Sequence, residues 1–105
     1  MRALSERLKL RLQTEATVEN HLKKRVKVLR GVAIKIMLLP GWPDRLVFLP
    51  GGVLKFFELK RPVGGTFEPR QERCHTRLRQ LGFTVIVART KAEVDEALGI
   101  EHADT

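Results

Sequence analysis

Two β-rich runs, residues 45–49 and 53–60, are separated by only Pro50-Gly51-Gly52. So short a connection closes an antiparallel hairpin, and its length sets which residues face each other. A two-residue loop (Gly51-Gly52) would pair Leu49 with Leu54 and send Asp44 and Glu58 to opposite faces. A three-residue loop pairs Leu49 with Val53 and puts Asp44 opposite Glu58, about 5 Å away on one face. Three-residue hairpins typically use a type I turn followed by a left-handed residue. Pro50 suits the first turn position and Gly52 the left-handed one, so the sequence predicts the second register. Lys60 lies two residues past Glu58 and projects from the same face, roughly 6–7 Å along the strand. One end of the hairpin therefore gathers two carboxylates and a lysine.

The rest of the chain supplies the frame. Thr14 caps a helix over residues 15–30, with Glu15 beside its positive end. Val18, Leu22, Val26 and Leu29 make its apolar stripe, and Gly31 stands where a terminating glycine belongs. Residues 32–39 read as a strand broken by Pro40, Gly41 and Pro43. Pro69 opens a second helix, 69–81, with Cys74, Leu78 and Leu81 inward and Gly82 beyond its end. Residues 83–88 are apolar on both faces, which implies a strand in a sheet covered on both sides. Thr90 caps a last helix over 91–98, with Val94 and Leu98 inward. The order is α-β-β-β-α-β-α, an α/β architecture with a mixed central sheet flanked by helices. Residues 1–13, with Leu4, Leu8 and Leu12 at a spacing of four, are an N-terminal arm or short helix. Residues 14–98 are the single domain, and 99–105 are a C-terminal tail.

Two carboxylates so close repel unless a cation lies between them. An all-oxygen, partly hydrated site suits Mg²⁺ or Mn²⁺. A metal so held can polarise a phosphodiester and activate water, while Lys60 positions the water or balances charge. The charge balance agrees. Lys and Arg number 20 against 12 Asp and Glu, a net charge of +8 on 105 residues. That excess points to a polyanion, nucleic acid before all others, rather than to a merely solvated basic surface. An anionic membrane would call for a basic amphipathic helix with an aromatic-rich apolar face, and the aromatics lie elsewhere. The single Cys74 excludes an intrachain disulfide framework and a Cys-rich zinc site. No apolar run is long enough to cross a bilayer, and charge interrupts the N-terminal stretch too often for a signal peptide. A cytoplasmic protein is expected.

The order Glu19 on the first helix, Gly41-Trp42-Pro43-Asp44, Phe57-Glu58-Leu59-Lys60, then Gln71 on the next helix resembles the VRR-NUC domain. This is the virus-type replication-repair branch of the PD-(D/E)XK nuclease superfamily. The resemblance runs over most of the chain, residues 15–98, and rests on the motifs taken together. It implies metal-dependent DNA cleavage with Mg²⁺ or Mn²⁺, leaving 5′-phosphate and 3′-hydroxyl ends. Small stand-alone members from phages and bacteria resemble Holliday-junction resolvases and act as homodimers, which would place this chain in a bacterial host or phage-infected cell. By the same resemblance Asp44 and Glu58 are metal ligands, joined by the Leu59 backbone carbonyl, and Lys60 is the catalytic lysine. Glu19 supports the metal or its waters, and Gln71 touches Lys60, a water or the scissile phosphate. A first-turn Glu favoured by the helix dipole and a plain capping Gln are the structural alternatives for these last two.

Arg70, Arg73 and Arg77 form one helical face that could grip phosphate or simply be solvated. Arg61, directly after the lysine motif, and Lys35, on the preceding strand, are further DNA-contact candidates. His75 reads as a satisfied structural histidine rather than a ligand or base, Cys74 as a small core residue, and Trp42 as packing in the turn. The expectation is a structure-selective DNA endonuclease favouring four-way junctions as a homodimer, with Leu4, Leu8 and Leu12 as interface candidates. The competing expectations are a flap- or end-directed nuclease or nickase, and a non-catalytic basic DNA-binding module.

Overall fold

The computed structural model describes residues 14–37 and 39–100. The arm at 1–13 and the tail from 101 onward lie outside the described residues. The chain runs α1 (Glu15–Val28), β1 (Val32–Lys35), β2 (Arg45–Leu49), β3 (Val53–Leu59), α2 (Pro69–Gln80), β4 (Thr84–Ala88) and α3 (Lys91–Leu98). This is the order the sequence predicts. The four strands lie in the order β1-β2-β3-β4. The first three pair antiparallel, and β4 joins β3 in parallel through α2. The sheet is therefore mixed, as a β-α-β crossover beside a hairpin requires.

Alternation along the strands sorts the core onto two faces. Val47, Phe57, Leu59 and Ala88 meet Val18, Leu22 and Val26 of α1 and Val94 and Leu98 of α3. On the opposite face Phe56 and Val85 meet Leu78 of α2. The α1–α3 contact is also tied by charge. Asp95, buried on α3, lies 2.7 Å from His21 Nε2 and accepts from Arg25 Nε at 3.0 Å.

The hairpin adopts the register of a three-residue loop: Leu49 pairs with Val53, and Arg45 with Phe57. The turn itself differs from expectation. Gly51 as well as Gly52 has positive φ, 84° and 73°, so the turn needs a glycine at its third position, as a type II turn does. Several element ends fall short of the expected bounds. β1 stops at Lys35 instead of 39, with one further bond beyond it, from Ile36 N–H to the Asp44 carbonyl at 2.8 Å. Leu81 is solvent-exposed at 55% and leaves the α2 stripe to Leu78 and His75. At the end of α1 the left-handed residue is Arg30, φ 63°, not Gly31. Arg30 N–H donates to Lys27 O and Gly31 N–H to Val26 O, the paired bonds of a Schellman ending. Gly31 is needed for a different reason: a Cβ there would lie 2.4 Å from the Phe48 carbonyl oxygen.

Candidate active site

The candidate site forms where β2 and β3 diverge at the end of the hairpin. One step beyond the Arg45–Phe57 pair, the register sets Asp44 across from Glu58. The Asp44 carboxylate extends the ladder, its Oδ2 accepting from Leu59 N–H at 2.9 Å. Glu58 is 2% exposed on the α2 face of the sheet. Burial first, then the charge of Asp44 and a hydrogen bond with it, outweigh the pull of Lys60 and push the Glu58 carboxyl up to about 8. Two acids this close share a proton unless a cation replaces it. Lys60 Nζ stands 3.6 Å from Glu58 Oε2, as their shared face predicts.

Helix α2 lays one row of side chains over this end of the sheet. Residues 71, 75 and 78 follow at i, i+4 and i+7 and share a face. Gln71 does two jobs. Its Oε1 accepts from Glu68 N–H at 3.1 Å at the helix start, and its Nε2 donates to Glu58 Oε2 at 3.4 Å. The same Oε1 lies 3.5 Å from Lys60 Nζ. The capping and site readings of Gln71 are thus compatible. Phe67 packs below, its ring centroid 4.9 Å from Lys60 Nζ and 5.6 Å from the His75 ring centroid. His75 itself is buried, with Nε2 3.5 Å from Glu58 Oε1. It is not the satisfied histidine that the sequence suggests, because neither of those two buried atoms has a hydrogen-bond partner.

Glu19 is placed on the other side. Its carboxylate is held by Arg45, which is 5% exposed and reaches it from the α1 face, and by Lys23 at 3.3 Å. Burial raises its pKa, but the Lys23 hydrogen bond and the charges of Arg45, Lys23 and Lys35 more than offset that and hold it low. Arg45 escapes a motif search, yet it neighbours Asp44 in a strand entrance, where adjacent side chains point apart.

Of the basic candidates, Arg61 directly follows Lys60 in the chain. It lines, with Lys60, a cleft of about 660 Å³ between the start of α1 and residues 61–66. Arg89 braces that loop, donating to the carbonyls of Arg61 at 3.1 Å and Gly65 at 2.8 Å. Arg70, Arg73 and Arg77 are exposed on the helix face turned away from Glu58. Arg70 packs its stem against the Gly41 turn, where a Cβ would come within 2.6 Å of it. Lys35 is exposed at the end of β1. Trp42 packs on Phe56, ring centroids 6.1 Å apart, as the turn reading has it.

Among the described residues, no group of three or more His, Cys, Asp or Glu could hold a metal ion. The acidic donors at the hairpin end are therefore the Asp44–Glu58 pair. That set fits a hard cation that keeps several of its own waters, such as Mg²⁺ or Mn²⁺, and not a closed structural site.

Comparison with known proteins gives a consistent picture. No family model matches the chain. A protein of Acyrthosiphon pisum secondary endosymbiont phage 1, described as "Putative nuclease p44", is 44% identical over 80 residues, 74% of this chain and 85% of that protein. A solved structure described as "VRR_NUC domain" superposes with a TM-score of 0.71 at 30% identity, over 86% of this chain and all of the other.

Proposed function

The chain belongs to the VRR-NUC family of nucleases, and from that premise we propose that it is a Mg²⁺- or Mn²⁺-dependent endonuclease acting on branched DNA, four-way junctions above other forms, as a homodimer. The observation that carries the reading is the Asp44–Glu58 pair with Lys60 beside it. Burial raises one acid of the pair to about 8, so the site is poised to exchange its proton for a cation. Asp44 and Glu58 would hold that cation, with the Leu59 carbonyl at the same strand end. When bound there, such a cation would supply Lewis-acid polarisation of the scissile phosphate.

The protein's own groups do the remainder. Leu59 N–H orients the Asp44 carboxylate, and Gln71 orients that of Glu58. Lys60, steadied by Glu58, Gln71 and the Phe67 ring, offers a positive charge to the attacking water or to the phosphate as charge develops. The cleft beside Lys60 and Arg61 gives a DNA backbone access to that lysine. Glu19, already engaged by Arg45, stands further back and would act through its neighbours or through water. A non-catalytic DNA-binding module is the weaker reading, because carboxylates packed together near phosphate oppose binding unless they serve chemistry.

The test is cleavage of a four-way junction, a flap and a linear duplex, each with Mg²⁺, with Mn²⁺ and with EDTA. The junction should be cut fastest, and only with metal. Asp44→Asn should lower the rate at least about a hundredfold, with DNA affinity kept or increased. Metal-independent cleavage, or wild-type turnover by the variant, would remove the assignment.

A further inference from the structure

We propose that His75 is a positioning residue for Glu58: its Nε2–H donates to Glu58 Oε1 and, with Gln71 on Oε2, fixes the carboxylate in the orientation that receives the cation. The inference rests on the metal-site reading above and adds to it a residue that no sequence motif marks.

The argument begins with two orphaned atoms. His75 Nε2 and Glu58 Oε1 are both buried and both without a hydrogen-bond partner, and they face each other at 3.5 Å. Leaving a buried polar atom unpaired costs about 1–3 kcal/mol, so two such atoms in contact have a strong reason to pair. A water bonded to both at ordinary hydrogen-bond lengths and a tetrahedral angle would hold them about 4.5 Å apart, so atoms at 3.5 Å are placed for a direct bond instead. Closing the gap by about half an ångström makes a normal N–H···O bond. A neutral imidazole carries one N–H, and the partner decides which nitrogen bears it.

The surroundings hold the ring where the bond requires it. His75 follows Gln71 by one helical turn, so both side chains descend on Glu58 from one face of α2. Phe67 meets the His75 ring nearly edge-on, interplanar angle 80°, and supports Lys60 as well. Direct ligation by His75 is the less suitable role, because His75 does not join Asp44 and Glu58 in a group able to hold a metal. A carboxylate has about four lone-pair positions, so one bond from His75 leaves positions open for a cation.

The experiment uses Mn²⁺ and Mg²⁺ on the full chain. His75→Phe should weaken Mn²⁺ binding, read by calorimetry without DNA, by about 10–100-fold, as loss of a residue that orients a metal ligand does. Thermal unfolding and DNA affinity in EDTA should change little. His75→Gln, whose amide N–H reaches a similar place, should recover most of the loss. In Mg²⁺-loaded wild-type protein, long-range ¹⁵N–¹H correlation should find the proton on Nε2, a readout available even if His75→Phe folds poorly. Mn²⁺ affinity unchanged in His75→Phe, or a ring with Nε2 unprotonated in the Mg²⁺ form, would overturn the proposal. If wild-type protein binds neither ion, it is the metal-site reading that falls.

Discussion

Glu58 carries the clearest residue-scale consequence, because its environment can be read in stability as well as in cleavage. Its carboxyl titrates near 8 in the folded chain against 4.5 for the free group. Burial is the main cause and the Asp44 charge the second. The fold thus favours the protonated acid, and that contribution is complete below about pH 4.5 and is lost as pH rises to about 8. Metal-free protein should therefore lose stability across this window. Glu58→Gln, which cannot ionise, should not, and at about pH 8 it should exceed wild type by a few kcal/mol, since each pKa unit is about 1.4 kcal/mol. Chemical denaturation in EDTA near pH 5 and near pH 8 measures the difference. Adding Mn²⁺ near pH 8 should raise the stability of wild type and leave the variant unmoved, because the cation takes the place of the proton only where the anion exists.

At the scale of elements, the end of α1 decides how β1 is laid against β2. The sequence suggests Gly31 as the left-handed residue, since glycine alone adopts that conformation freely. The structure gives the positive φ to Arg30 and uses Gly31 to let the chain pass the Phe48 carbonyl. The two readings predict opposite outcomes for one pair of variants. Arg30→Gly should be neutral or stabilising by roughly 0.5–1 kcal/mol, because it relieves a left-handed non-glycine residue. Gly31→Ala should destabilise by about 2 kcal/mol, because its methyl meets backbone that cannot withdraw. Thermal unfolding of both variants separates the two arrangements. The other helix ends need no such distinction. Gly82 and Gly99 themselves carry the positive φ, 96° and 74°.

For the whole molecule, the net charge of +8 and the one candidate site among the described residues set the expectations. Two symmetric cuts in a four-way junction need two sites related by a two-fold axis, which a homodimer supplies. Sedimentation equilibrium should give a mass near twice 12.0 kDa, and the junction should be nicked at symmetric positions on opposed strands. A monomer that nicks a single strand would instead fit a flap- or nick-processing role. Affinity for the junction should fall with salt, each phosphate contact adding about −0.9 to the slope of log K against log salt. A flat dependence would detach the basic surface from DNA docking. Among the described residues no helix is long and apolar enough to cross a membrane.

What the sequence determined by itself was the local and the periodic. Element order, the caps at Thr14 and Thr90, and the hairpin register all follow from short-range rules, and the register alone brings Asp44 to Glu58. The position of Lys60 follows in turn from strand alternation. What only the tertiary structure decided was which side chains meet across elements. His75 looks like any inward histidine until α2 is set on the sheet and its Nε2 comes to face Glu58. The partner of Glu19 is likewise unmarked in the chain until Arg45 is turned toward α1 and meets its carboxylate. Leu81 fits the stripe by spacing, yet α2 ends before it can be covered. In each case the deciding quantity is the placement of one element against another. That placement is set by the sum of many packing contacts and leaves no mark at any single position in the chain.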